Sequence, residues 1–410
     1  MAPVPIDESR PTAPAGRGAV LVVLNLPVPD DRRAWAQAEA LRDDGARVTV
    51  VCPAIRDKAP GAETIEGIEV VYFRSFEGTG KLSTVLEGAW TTFAASRAAK
   101  RAVGRIAGPR VLQVGNPPDL LFRLLAWARR KGCATVYDQR DAAPVLAGSR
   151  AGFSRLEPFF RWCERRTLAS ADVVVTPSSQ QRERIRERYG RDSVIVRTAA
   201  VAGESTAPGS RGAPEPSDVP ADTVLGYLGV IGEQDGVGDL ITCVDLLRRA
   251  GAEGFRVEIA GDGPALAAAR READGLGLDG LIRFRGWLGR DEVDAFLGEI
   301  DAMLVPDPDV AFNHYCAMNK VTHAMARGIP VVLRPLRENV RLVSGAGIVA
   351  KDMTLAAFSQ AISELLELPP EARSRIGAEL RDVFDHELSW EIFAPRYVDA
   401  VFSRVRVEAV

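Results

Sequence analysis

The chain has 410 residues, 46% apolar and 26% charged, with a formal net charge of −3, a length that predicts two domains of about 200 residues rather than one. No apolar run reaches the roughly 18 to 20 residues that span a bilayer. The first 18 residues are Pro-rich and polar without the apolar core of a signal peptide, so a cytoplasmic protein is expected. The near-neutral sum hides an asymmetry: residues 1–200 hold 31 Lys/Arg against 22 Asp/Glu, and residues 201–410 hold 21 against 33. A basic half reads either as facing an anionic acceptor or a membrane surface, or as simply attracted to the acidic half; no nucleic-acid partner is expected. Cys52, Cys133, Cys163, Cys243 and Cys316 form no Cys-x-x-Cys pair and several fall in apolar patterns, so buried free thiols are expected over a disulfide or metal site.

After a leader over residues 1–18, expected to be disordered, Ala19 to Leu26 reads as a buried strand. A loop follows, then a helix near Arg33 to Arg42 that stops at Gly45. A nicotinamide-binding domain would carry Gly-x-Gly-x-x-Gly at this first turn, and a P-loop would carry Gly-x-x-x-x-Gly-Lys-Ser/Thr; neither occurs. Strands at Arg47–Cys52 and Glu69–Arg74 lead to a long helix, in which Leu82, Val85, Leu86, Ala89, Trp90 and Phe93 follow helical spacing. That helix ends in Arg97, Lys100, Arg101 and Arg105; it either packs on the core with a solvated basic end or lies against anionic lipid. VLQVGNPPDLLFRLLAWARRKG then reads as strand, loop and helix, with Pro117-Pro118 in the first turn of the helix and Gly132 at its end. In the strand TVYDQRDAAPV, Arg140 lies next to Asp138 and Asp141, which predicts an ion-paired, permanently charged guanidinium. A helix at Arg155–Leu168, a strand at Val173–Thr176, a helix at Ser178–Tyr189 and a strand at Ser193–Arg197 complete the βα alternation of a mostly parallel sheet.

Residues 202–222 shift to Ala, Gly, Pro, Ser and Glu and read as a linker. Beyond it, TVLGYLGVIGEQDGVGDLITCVDLL runs from a strand into Gly229 and Gly232, with a helix starting near Gly236. Such a turn lets main-chain N–H groups approach a diphosphate, and is also common structural punctuation. VEIAGDGP, Val257 to Pro264, is a second strand ending in glycines, Gly261 and Gly263; LIRFRGWLGRDEVDAFL follows, where Trp287 reads equally as an ordinary packing residue. The stretch from Val305 to Val332 then reads as strand end, polar loop, short helix, Gly328 and strand. Ligands bind at the carboxyl edge of such a sheet, so Asn313, Asn319, Lys320 and His323 are expected to face something anionic and hydroxylated. Asp307-Pro308-Asp309 could share a divalent ion or simply form a turn, and His314, His323 and His386 lack ligand spacing, so no metal is expected. Helices at Leu355–Leu366, Pro370–Phe384 and Trp390–Val405 close the chain.

Several of these stretches, NPPDLL, YDQRDAAPV, YLGVIGEQDGVGDLI, GDGP and MNKVTHAMARGIPVV, resemble the motifs of retaining glycosyltransferases of the GT-B fold, family 4 type. The resemblance implies an α/β protein with two Rossmann-like β/α/β domains facing each other across a cleft. It implies an acceptor-side domain over 19–202, a linker over 203–222, a donor domain over 223–388, and a terminal helix over 389–410 that crosses back to the first domain. It also implies roles: Gly229, Gly232, Gly261 and Gly263 at the donor phosphates, Asn319, Lys320 and His323 on the donor, Trp287 and Leu288 beside the base, and Glu338 at the sugar. Asn25, Asp31, Arg32, Asn116 and Arg140 fall on the acceptor side, Asp31 being readable also as a helix cap; Arg140, Asp141 and Lys320 are the catalytic candidates.

The chain departs from the resembled pattern at His323 and Tyr315, where the family places two carboxylates, and at Arg140 and Val145, where it places His and Glu. The family's basic residues in the first glycine loop are also missing, which leaves Lys320 to neutralise the diphosphate. The implied activity is hexosyl transfer with retention from a nucleotide-diphosphate sugar, without cofactor, to a small-molecule or lipid-linked acceptor, with peripheral membrane contact through the basic half as an option. An unusual donor or acceptor in specialised metabolite assembly is expected. A catalytically degenerate partner protein, an enzyme of lipid-linked polysaccharide assembly and a nucleotide-sugar epimerase are the alternatives, the last without its motifs.

Overall fold

The structure is a computed structural model, and it describes residues 16–55, 58–75, 81–117, 119–149, 154–198 and 222–404. The leader through residue 15 and the linker through residue 221 lie outside the described residues, as does Pro118. The described chain divides into two compact units.

The first unit contains β1 (Gly18–Val22), α1 (Arg32–Asp43), β2 (Arg47–Ala54), β3 (Gly61–Ile65), β4 (Ile68–Arg74), α2 (Lys81–Gly104), β5 (Arg110–Gly115), α3 (Phe122–Arg130), β6 (Ala134–Asp138), α4 (Ala143–Ser149), α5 (Glu157–Ser170), β7 (Val173–Thr176), most of α6 (Ser179–Tyr189) and β8 (Val194–Ile195). Its sheet runs β3-β4-β2-β1-β5-β6-β7-β8, parallel throughout except for β3. Leu112 and Val114 of β5, Leu124 and Leu125 of α3, Ala95 and Ala99 of α2 and Leu168 of α5 close a single buried cluster on one face, each large side chain there contributing roughly 1.5–3 kcal/mol by leaving water. β1 stops at Val22, shorter than the apolar run, because Leu24 to Leu26 bend away to form the loop before α1. The Asp31 carboxylate accepts from the Ala34 N–H at 2.9 Å and caps α1. α3 begins at Phe122, so Pro117 lies in the preceding loop and not in the first turn of the helix. β3, absent from the sequence reading, is a polar, mostly exposed edge strand with no alternation to reveal it.

The second unit contains β9 (Thr223–Leu228), α7 (Val237–Arg249), β10 (Phe255–Ala260), α8 (Leu266–Gly275), β11 (Ile282–Gly286), α9 (Arg290–Glu299), β12 (Ala302–Val305), α10 (Asn319–Met325), β13 (Val331–Leu333), α11 (Arg337–Val343), β14 (Ile348–Val349), α12 (Leu355–Glu367) and α13 (Pro370–Val383). Its sheet, β11-β10-β9-β12-β13-β14, is wholly parallel. Successive strand residues point to opposite faces, and both faces are apolar. Leu225, Tyr227, Ala302, Leu304 and Val332 pack under α7 and α12, while Val224, Met303, Val305, Val331 and Leu333 pack under α9, α10, α11 and α13. Ser178–Gln181 at the start of α6 also belongs to this unit.

The last helix, α14 (Trp390–Phe402), carries residues of both units, and the chain from Ala394 on belongs to the first. The buried Tyr397 hydroxyl donates to the Gln113 Oε1 of β5 at 2.8 Å, and the Arg17 guanidinium lies 4.0 Å from the Phe402 ring centre. Among the described residues no helix is long and apolar enough to cross a membrane.

Candidate active site

In the second unit β9 and β10 end side by side, and the glycines there are required by close approach. A Cβ on Gly261, at φ +140, would lie 1.7 Å from the Gly229 carbonyl oxygen. Gly236, at φ +73, enters α7 so close to β12 that a Cβ would lie 2.4 Å from the Pro306 carbonyl oxygen. The amides of the four glycines singled out in the sequence are already occupied. Gly229 donates to Ala260 O (3.1 Å), Gly261 to Gly286 O (2.8 Å), Gly232 to the Asp235 carboxylate (3.0 Å) and Gly263 to that of Asp262 (2.7 Å). These glycines therefore shape the turn by lacking side chains, and the first turn of α7, whose N–H groups have no partner within a helix, is the place where an anion finds donors.

Lys320, the first cation of α10, is buried beneath this turn. Its ammonium contacts both Asp307 oxygens at 3.0 and 2.9 Å, lies 3.5 Å from the Tyr227 hydroxyl, and sits 4.4 Å from the Tyr227 ring centre. Burial alone would lower its pKa, but Asp307 outweighs that and holds it above the ordinary lysine value, while burial pushes the Tyr227 phenol up to about 12. The lysine is therefore cationic at every working pH and fixed in place before any ligand arrives. Asp307 spends both oxygens on Lys320, and Asp309 accepts from His314 at 2.8 Å, so the two carboxylates of the Asp-Pro-Asp turn are committed to separate cationic or ring partners. Among the described residues no group of three or more His, Cys, Asp or Glu is arranged to hold a metal.

The neighbouring candidates divide into exposed and structural. Asn319 is exposed at the start of α10, His323 lies half-buried one turn on, and Trp287 is 64% exposed just past β11 with Leu288 half-buried after it, so Trp287 is not a core packing residue. Asn313, expected to face a ligand, is instead buried and donates to the Gln234 carbonyl (2.8 Å) and the Pro308 carbonyl (3.1 Å), strapping the glycine loop to the loop after β12. Glu338 is fully buried; it accepts from Arg197 at 2.8 Å and from the Gln180 N–H at 3.0 Å, which commits both of its oxygens to protein. Two residues of this region went unread in the sequence. Asn339 accepts the Met318 N–H at 3.2 Å and steadies the entry to α10. Arg334, buried directly after β13, donates to Pro306 O at 3.1 Å and pairs with Asp239 of α7. A charge set immediately after an apolar strand was the available signal for Arg334.

In the first unit a second polar cluster forms where β1, β5 and β6 end. Asp138 is fully buried between two arginines, Arg33 (Nη2 at 2.6 Å) and Arg140 (Nε at 3.3 Å), and accepts from Gln37 at 3.2 Å. Burial would raise its pKa, yet Arg33 and then Arg140 hold it below the usual carboxylate range. Arg140 also pairs with Asp31, so two carboxylates, Asp138 and Asp31, hold its guanidinium. Asn116 closes the cluster: its Oδ1 accepts the Arg140 N–H at 2.6 Å and its Nδ2 donates to Asp141 O at 2.7 Å. Asn25 is exposed in the loop after β1, and Arg32 is half-buried at the start of α1. Arg33 and Gln37, one turn apart on α1, escaped the sequence reading, as did Gln113, which donates to Gln37 Oε1 at 2.8 Å. A glutamine within the apolar strand RVLQVG was the visible clue.

Two α/β units, each with its polar groups gathered at the carboxyl ends of the strands, are the architecture of the GT-B fold. Solved structures share the fold. Sucrose-phosphate synthase from Thermosynechococcus elongatus is similar with a TM-score of 0.72 at 15% identity, covering 93% of this chain and 97% of that one. The catalytic domain of Starch Synthase IV from Arabidopsis thaliana, bound to ADP and acarbose, gives 0.67 at 11% identity, over 95% and 100%. Residues 31–200 match the glycosyl transferase 4-like domain and residues 222–368 match glycosyl transferases group 1. The chain belongs to this glycosyltransferase family and is a transferase of EC 2.4. Over 290 residues it is 24% identical to the GDP-mannose-dependent alpha-(1-6)-phosphatidylinositol dimannoside mannosyltransferase of Mycobacterium tuberculosis, covering 70% of this chain and 73% of that protein.

Proposed function

We propose that this glycosyltransferase moves a hexose from a nucleoside-diphosphate sugar, held at the carboxyl edge of the second sheet, to a hydroxyl of a lipid-borne acceptor, with retention at the anomeric carbon. The observation that carries the donor reading is the preset Lys320 ammonium beneath the Gly229 turn, beside the open N-terminus of α7. A fixed cation and helix amides stabilise the charge that develops on a leaving diphosphate without reorganisation during the reaction. Asn319 and His323 offer polar groups to the ribose, and the exposed Trp287 offers a surface for the base. The lipid-borne acceptor is supported by the mycobacterial relative, whose printed name gives a phosphatidylinositol dimannoside acceptor and GDP-mannose as donor.

Arg140 bears on where the proton goes. A guanidinium bound to Asp31 and Asp138, and held by them above its ordinary pKa despite burial, cannot take a proton from the acceptor. The bond from C1 to the phosphate oxygen breaks, the acceptor oxygen bonds to C1 on the same face, and its proton passes to the departing phosphate. This altered acceptor side favours an acceptor unlike the family's usual ones, and a specialised metabolite is the second reading. Calorimetric titration of GDP, UDP, TDP and ADP is expected to show one nucleotide binding at micromolar Kd. Lys320→Met combined with Asp307→Leu should weaken it at least tenfold. Failure of all four nucleotides to bind would end the donor reading, and an inverted anomeric proton coupling in the product would end retention.

A further inference from the structure

Helix α5 carries apolar side chains on its water-facing side as well as on its core side, where Leu168 joins the buried cluster. Its inner face buries Glu164, fully enclosed, beside Cys163 and Thr167. Its outer face presents apolar bulk: Leu156 just before the helix is 41% exposed, Phe159 48% and Trp162 49%. These residues recur every three positions, so they form one stripe. Phe159 stacks on Trp162 with ring centres 6.3 Å apart, and the Arg166 guanidinium lies 5.9 Å from the Trp162 ring. Arg155, Arg165 and Arg166 are exposed along the same segment, where Glu157 is the one partly exposed acid and is already paired with Arg161. The stripe is packed at one edge, where Trp162 meets Phe122 of α3 edge-on with ring centres 5.4 Å apart, and otherwise faces water between arginines. It has the chemistry of a surface that sinks rings into the headgroup region of a bilayer and pairs guanidinium groups with anionic lipid.

Topology places the stripe usefully. α5 runs into β7, so its first turns lie toward the carboxyl edge of the sheet, where the Asp31, Asn116 and Arg140 cluster gathers. The basic end of α2, which the sequence suggested as the lipid contact, lies at the opposite, amino edge, and Arg105 there is paired with Glu69 at 2.7 Å. We propose that the outer face of α5, centred on Phe159 and Trp162, docks the first unit onto an anionic lipid bilayer and so brings its acceptor edge to the lipid surface. The inference rests on the reading of a lipid-borne acceptor for its purpose, but the binding is measurable without catalysis.

The test is sedimentation of the full chain with vesicles of phosphatidylcholine alone and of phosphatidylcholine with a third phosphatidylglycerol, at low and at 0.5 M salt. Binding is expected to the anionic vesicles, to fall at least tenfold at high salt, and to fall at least tenfold in Phe159→Ser/Trp162→Ser. Arg165→Gln/Arg166→Gln should lose binding to anionic vesicles while keeping the wild-type thermal midpoint, and nucleotide titration should be unchanged in both variants. No binding to anionic vesicles, or equal binding by the aromatic variant, overturns the proposal. So does a wild-type oligomer, seen by light scattering, that the aromatic variant dissolves, because the stripe would then be covered by a second copy. Absence of vesicle binding by the wild-type chain, with its nucleotide binding and transfer intact, sinks this inference alone; vesicle binding without nucleotide binding sinks the donor reading and leaves the docking surface standing.

Discussion

Single residues decide how charge is handled in both polar clusters. Lys320 and Asp307 are buried together, so removing one partner strands the other: Lys320→Met should destabilise the second unit by roughly 3–5 kcal/mol, and adding Asp307→Leu should recover most of that loss without restoring nucleotide binding. Thermal denaturation and calorimetry separate the two effects. Asp119, after β5, is 1% exposed; burial, then the nearby Glu164, pushes its carboxyl up to about 7, although the Tyr137 hydroxyl donates to it. An acid raised in the folded state binds more protons there than in the unfolded chain between its ordinary value of about 4 and pH 7, so folding stability falls as pH rises through that window. The thermal midpoint of the first unit is therefore expected to drop between pH 5 and pH 8, and Asp119→Asn should flatten the drop. A wild-type midpoint that climbs over that range would show that Asp119 is ionised in the fold. The motif around Asp119 was visible in the sequence, whereas its burial was not, because Glu164 and Tyr137 reach it from α5 and β6 and no linear spacing records that meeting.

At the level of elements, the strand-to-helix turns of the second unit were the most legible part of the chain. The apolar runs ending in glycines marked β9 and β10, and Gly328, at φ +65, closes the short helix where the sequence placed its stop. Among the elements the sequence did not reveal, β3 has residues that face water, and α11 is one short helix of seven residues opening right after Pro335 and Leu336. Candidate roles assigned to single side chains were the least legible, since Asn313 and Glu338 turned out to bind protein groups. The glycine turns give a contrast at this scale. Gly261→Ala, which forces a Cβ against the Gly229 carbonyl, should cost well over 1 kcal/mol and abolish nucleotide binding. Gly275→Ala, in the last turn of α8 with nothing within 4 Å, should be neutral or stabilise by up to about 1 kcal/mol. Thermal denaturation of the two variants beside the wild type checks both outcomes.

Across the whole molecule, the first unit is discontinuous in sequence: it is made of the N-terminal half and the chain from Ala394 on. Tyr397 at the heart of that return contact is fully buried and gives its hydroxyl to Gln113, which passes the connection to Gln37 and Asp138. Tyr397→Phe should therefore cost the first unit about 1–2 kcal/mol, by leaving a buried acceptor without its donor. Hydrogen exchange of the β5 and β6 amides should report the loss, while the amides of β9 and β12 stay unchanged. Equal protection of all four strands in the variant would show that the hydroxyl contributes nothing.

The same discontinuity sets an order of events during synthesis. Residues 222 to 389 emerge from the ribosome before α14 does, so for roughly 10 to 30 seconds at ordinary elongation rates the nascent first unit waits with the seat of Tyr397 open. Its own strands can pair in that interval, but Gln113 lacks the Tyr397 donor until α14 arrives. Slowing elongation through the second half of the message should lengthen that pause and lower the yield of folded enzyme.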